Sequence, residues 1–190
     1  MEPKEFLTFM HAIEGLKCHT RHSWTSTGRH ESVAEHSHRL SLMALLCRDA
    51  FPELDMDRVL RMCLVHDFGE ALTGDVPSFD KTDADERREE EAISHLLSLM
   101  PAGMQEEYRA LFSEMAALCT PEARLYKALD NMEAVISHNE APISTWIPME
   151  YEENLVYGAK AAECTPWTRE LRRLLREESE EKLQRELPKH

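Results

Sequence analysis

Residues Leu60 to Glu70 read LRMCLVHDFGE, an apolar run that closes on the adjacent pair His66 and Asp67. Val59, Leu60, Cys63 and Leu64 recur at helical spacing behind Asp55, which predicts a helix opened by Asp55 that delivers the pair toward the interior. A histidine and an aspartate carried inward by an apolar helix need partners. His36, thirty residues before His66, and Asp130, sixty-three after Asp67, supply them. These four side chains form a mixed imidazole and carboxylate set of the kind that holds a divalent transition metal and leaves room for water.

Glu70 follows His66 by four residues, so a continuous helix puts both on one face, where an acid or base serving the site belongs. In the next stretch, LTGDVP, Gly74 and Pro77 read as a helix stop and turn, placing Asp75 on a loop at the mouth of the same site. Gly69 is expected to loosen the last helical turn so that two consecutive residues face one ion.

Outward from this centre the chain reads as helices. Phe6, Phe9, Met10, Ile13 and Leu16 predict one ending near Cys18, and the polar HTRHSWTSTGR of residues 19–29 predicts a loop that supplies substrate contacts. Ser32 and Glu35 form a capping-box pattern opening a helix through Ala50, with His36 near its first turn and Val33, Leu40, Met43, Ala44 and Cys47 as its core stripe. The charged DKTDADERREEE of residues 80–91 leads into a helix through Ile93, Leu96, Leu97 and Met100, and another covers Glu106 to Leu118. Pro121 suits the first turn of a helix that carries Leu125, Leu129 and Asp130 to Ile136. Beside Asp130, Asn131 and Glu133 are neighbours, Glu133 expected at the surface. After breaks at Pro142 and Pro148, a last helix from about Pro166 to Leu187 sets Leu171, Leu174, Leu175 and Leu183 against the domain or a second subunit. Strand-like alternation is lacking, so the fold class is all-α: a single domain over residues 1–190, with 143–190 as a helical extension packed on it.

The 190 residues suffice for one sizeable core. Five cysteines, an odd number with no C-x-x-C pair, read as reduced thiols and, with an acidic N-terminus unlike a signal peptide, point to the cytoplasm. No apolar stretch approaches the ~20 residues that span a bilayer. A net charge of -14 argues against duplex nucleic acid as partner but not against a small anion, which a metal ion and local bases such as Arg21 can attract. Arg29 and Lys81 read as ordinary surface.

Three segments, ESVAEHSHRLSLMALL, LVHDFGEALTGDVP and YKALDNMEAVI, carry a resemblance to the HD-domain metal-dependent phosphohydrolases, running from about Phe6 to about Ile136. Within that group the chain is similar to the small bacterial 5'-deoxynucleotidases and their eukaryotic HD-domain relatives, which implies an HD-domain helical bundle. By the resemblance His36, His66, Asp67 and Asp130 are metal ligands, Glu70 the catalytic glutamate, Asp75 the aspartate acting on the leaving group, and Arg21 the holder of the substrate phosphate. The bacterial enzymes follow that arginine directly with a tryptophan that helps to reject ribose. Here His22 follows, and Trp24 stands at the Arg-x-x-Trp spacing of the eukaryotic relatives; both are candidate substrate contacts, and the choice between ribose and deoxyribose stays open. Two-metal members of the superfamily add histidines between the HD pair and the last aspartate, whereas His95 alone lies there in this chain, which implies one divalent ion (Co, Mn, Zn, Ni, Fe or Mg). The expected reaction is release of phosphate from (deoxy)nucleoside 5'-monophosphates, and the relatives suggest a homodimer that the last helix permits. A triphosphohydrolase and a non-catalytic nucleotide-binding module are the competing readings.

Overall fold

Thr120 accepts a hydrogen bond from the Ala123 amide, and Pro121 occupies a first-turn position where its missing N–H costs nothing, so a long helix starts there. In the computed structural model, which describes residues 1–187, the elements run α1 (Pro3–Ala12), α2 (Gly15–Cys18), β1 (Thr20–Trp24), β2 (His30–Ser32), α3 (Val33–Leu46), α4 (Met56–Val65), α5 (Glu70–Thr73), α6 (Asp83–Ser98), α7 (Ala102–Ala117), α8 (Pro121–Glu140), α9 (Glu150–Val156), α10 (Ala159–Ala162) and α11 (Pro166–Glu186). The fold is all-α apart from the small β1–β2 sheet.

Helix α8 is the axis. Its Leu125, Ala128, Leu129, Met132 and Val135 are at most 1% exposed, and α3, α4, α7, α10 and α11 all pack on it. Leu40 and Ala44 from α3 and Val59, Met62 and Cys63 from α4 complete this core, with Leu175 from α11. A smaller cluster joins Phe9, Leu16, Val33, Leu96 and Leu97, and Phe68, just past the HD pair, packs against both clusters. The site therefore sits where two apolar clusters meet.

Several expectations from the sequence are corrected. The first helix is broken at residues 13–14 into α1 and α2, and the loop expected over 19–29 contains β1, which pairs antiparallel with β2 in the register Thr20 with Ser32 and Trp24 with His30. Its buried positions are Ser23 and Glu31, so no apolar alternation marked it as a hairpin. The Ser32 capping box forms as expected, but α3 ends at Leu46 and a 3₁₀ turn covers Arg48–Ala50. Gly69 has ordinary helical dihedrals, and its role is steric: a Cβ there would come within 2.5 Å of the Glu89 side chain on α6. Leu64 and Leu174, read as inward-facing, are 49% and 43% exposed. The segment after Pro148 contains α9 and α10, which the broken periodicity hid.

Candidate active site

His36 stands in the first turn of α3, His66 caps the C-terminal end of α4, Asp67 follows it in a turn, and Asp130 projects from the middle of α8. Because α4 stops at Val65, the pair leaves the helix together and two consecutive side chains face one point. Asp130 Oδ1 lies 3.2 Å from His36 Nε2 and 3.6 Å from His66 Nε2, while Asp67 Oδ1 lies 3.0 Å from His66 Nε2.

The hydrogen-bond partners fix the tautomers. His66 Nδ1 donates to the Cys63 carbonyl at 3.0 Å, and His36 Nδ1 donates to the Glu133 carboxylate. Each ring then presents an Nε2 lone pair, and the two Nε2 atoms are 3.1 Å apart. Facing lone pairs among carboxylates repel unless a positive charge sits between them, so the donor set fits a divalent ion. The proton affinities show the same demand for positive charge at this point. Burial opposes charging His66, yet Asp67 and Asp130 lift it to about 10; burial also opposes ionising Asp67, yet His66, His36 and Arg21 hold it at about 2. Asp130 is likewise held well below the carboxylate range in spite of burial, first by Lys127, whose Nζ bonds its other oxygen at 2.8 Å.

Glu70 opens α5 rather than extending the helix of His66, so its place near the pair comes from the turn and not from an i+4 face. It is 8% exposed, and its Oε2 has no hydrogen-bond partner. Burial, then the charges of Asp67 and Asp75, push its carboxyl up to about 9 against the pull of Arg21. Burial pushes the carboxyl of Asp75, which follows Gly74 (φ +75°), upward against the pull of Arg21. Arg21 reaches in from β1. Its Nη1 is buried with no hydrogen-bond partner, 3.6 Å from Glu133 Oε2 and 3.8 Å from Glu31 Oε2.

These groups line a cavity of about 440 Å³, within the roughly 300–1,000 Å³ of small-molecule sites. The same cavity is also lined by His22, Phe79, His138, Met149, Glu150, Glu153, Asn154 and Tyr157. His22 Nε2 bonds Glu150 Oε1 at 3.0 Å, and its ring meets the Phe79 ring edge-on. Eight of the nine expected site residues thus line the cavity. Trp24 does not: it packs on His30 with ring centroids 3.9 Å apart and borders a separate small crevice. Lys81, read as plain surface, lines the cavity while paired with Glu89. Glu133, expected at the surface, is fully buried, because His36 and Arg39 bind its carboxylate. Lys127 and Glu133 stand three residues to either side of Asp130, a helical spacing that marks both from the sequence once Asp130 is taken as a ligand. His138 and Glu150 left no such signal.

Comparison with known proteins agrees with the geometry. An HD domain family model matches residues 13–172. The 5'-deoxynucleotidase HDDC2 of Danio rerio is 35% identical over 70% of this chain and 68% of its own, and that of Homo sapiens is 33% identical over 72% and 68%. The 5'-deoxynucleotidase hdd1 of Schizosaccharomyces pombe is 32% identical over 67% of each chain. A crystal structure of a predicted metal-dependent phosphohydrolase from Magnetospirillum magnetotacticum MS-1 superposes with a TM-score of 0.75 at 29% identity, covering 96% of this chain and 93% of the other. With paired imidazoles and carboxylates brought together by α3, the end of α4 and α8, this chain belongs to the HD-domain family of metal-dependent phosphohydrolases.

Proposed function

We propose that the cavity hydrolyses (deoxy)nucleoside 5'-monophosphates to nucleoside and orthophosphate, with one divalent ion held by His36, His66, Asp67 and Asp130. The observation that carries this reading is the meeting of two Nε2 lone pairs at 3.1 Å beside the unpartnered Nη1 of Arg21. A cation belongs at the first place and an anionic oxygen at the second, in a cavity large enough to hold more than a phosphate. A bound divalent ion supplies an activated water and a ligand for a phosphoryl oxygen.

The protein's own groups do the rest. Arg21 donates to the phosphoryl oxygens and offsets their charge. Glu70, buried beside the pair with a free oxygen, orients the attacking water and takes its proton. Asp75 serves the departing 5'-oxygen, and the His22 ring, braced by Glu150, borders the path of the sugar. Trp24 has no substrate role in this scheme. The exposure of His95 on α6 supports one ion rather than two.

The test is orthophosphate release from deoxyribo- and ribonucleoside 5'-monophosphates by metal-stripped protein given Co, Mn, Zn or Mg. Release from the deoxy series alone defines a 5'-deoxynucleotidase, and release from both defines a broader nucleotidase. Triphosphate release from nucleoside triphosphates, or no turnover by metal-loaded protein on any of these, overturns the reading. Glu70→Ala is expected to lower turnover about 10²- to 10⁴-fold while the metal content stays that of the unmodified protein.

A further inference from the structure

We infer that Glu133 is a positioning residue that couples the two halves of the site, holding His36 in the tautomer that faces the ion and setting the Arg21 guanidinium that faces the phosphate. The inference rests on the metal-site reading above and concerns a residue outside its ligand and catalytic set.

Glu133 is 0% exposed and uses both oxygens. Oε2 accepts from His36 Nδ1 and lies 3.6 Å from Arg21 Nη1. Oε1 accepts from Arg39 Nε at 2.6 Å and from Ser137 Oγ at 3.3 Å. Arg39 is anchored in turn by Ser137 and by Glu140 at 2.5 Å, so one face of α8 supplies Asp130, Glu133, Ser137 and Glu140 in successive turns. Glu31, 6% exposed on β2, faces Arg21 from the other side. Two carboxylates therefore meet two guanidinium groups, and the balance of charge allows their burial. Glu31, His36 and Glu133 come close enough to suggest a second metal site, but Arg21 and Arg39 already supply the positive charge there.

The chemistry of this carboxylate is specific. His36 Nδ1–H and Arg39 Nε–H are both donors, and Glu133 is accepting at both oxygens. Glutamine has the same shape but one oxygen and one NH₂. It faces a donor with a donor whichever way it turns, so it either releases the His36 tautomer or breaks from Arg39. A role confined to filling space would survive that exchange.

The experiment is calorimetric titration of Zn²⁺ into metal-stripped wild type and Glu133→Gln, with ¹⁵N NMR of the imidazoles in the Zn²⁺-loaded proteins. The expected results are a dissociation constant raised about 10- to 100-fold, a KM for the nucleotide raised with it through Arg21, and loss of the single His36 Nδ1–H signal. A Zn²⁺ affinity within about threefold of wild type overturns the inference. If Glu133→Gln does not fold, the wild-type spectrum decides: His36 protonated at Nε2 overturns it, and Nδ1–H supports it. Zn²⁺ binding is read without substrate, so a failure of the nucleotidase reading, seen as no turnover by wild type, is a separate result.

Discussion

On one side of the cavity His36 and Asp130 stand on helices and His66 caps the end of another, and the neighbouring Leu40, Met62, Cys63 and Leu129 are all 0% exposed. Across from them His22, Phe79 and Glu153 stand on a two-stranded hairpin, the connection between α5 and α6, and the seven-residue α9, where Phe79 is 43% exposed. A close-packed wall holds donor atoms to fractions of an ångström, which metal chemistry demands. A wall of short elements with exposed side chains gives shape and polarity with less rigidity, which suits the choice of substrate. Under the proposed function the first wall holds the ion and the second contacts the substrate, Arg21 on the hairpin and Asp75 on the α5–α6 connection included, and mutations on the two sides should separate accordingly.

The largest effect on stability belongs to the helical wall. Leu129 precedes Asp130 on α8 and is fully buried in the main core. Leu129→Ala is expected to cost about 2–5 kcal/mol of unfolding free energy, through lost burial and the cavity left behind. Urea unfolding measures it. A cost below about 1 kcal/mol would mean that α8 repacks easily, and the idea of a rigid ligand wall would fail.

Phe79 on the opposite wall tests the other half. Its ring borders the cavity and packs edge-on to His22 but belongs to neither core cluster. Phe79→Ala is expected to leave stability within about 0.5 kcal/mol. It should raise the nucleotide KM by up to about tenfold, with kcat within about twofold. A drop in kcat with KM unchanged would move Phe79 to the chemical side and blur the division between the walls.

The same division explains what could be read from the sequence. His36, His66, Asp67 and Asp130 stood out because apolar helices carry them, and the 3.6-residue rhythm around Leu40, Val59 and Leu129 survives in the sequence. The hairpin was invisible because Ser23 and Glu31 are its buried members, chosen for the polar site they face. Helix α9 was hidden by its length and by Pro142 and Pro148. It is held by long-range contacts, Arg172 on α11 donating to the carbonyls of Asn154 at 3.0 Å and Tyr157 at 2.8 Å, which no local pattern announces. Glu133 was misplaced for a related reason: a lone glutamate on a helix reads as solvated, and burial follows only from the arginines and the imidazole that meet it from other elements.

The smallest effect should come from charge at the outer edge of the helical wall, where Arg58 on α4 binds Glu114 on α7, with Nε 2.8 Å from Oε2. Thr120 Oγ1 donates to the same carboxylate, and Arg58 first, then Thr120, hold Glu114 below the ordinary glutamate value against a modest cost of burial. A carboxylate whose folded value is lowered stabilises the fold above its unfolded value of about 4.3. That contribution fades as pH falls through the lowered folded value. The Arg58 side chain is 36% exposed, so solvent screening limits the pair to about 0.2–1 kcal/mol. Arg58→Ala should therefore lower the urea midpoint slightly at pH 7, with the gap to wild type closing as the buffer is taken below pH ~4, and it should leave turnover unchanged. A gap that persists undiminished in acid would mean that Arg58 acts through the packing of its aliphatic stem rather than its charge, and would extend the rigid, packing-controlled wall outward to the contact between α4 and α7.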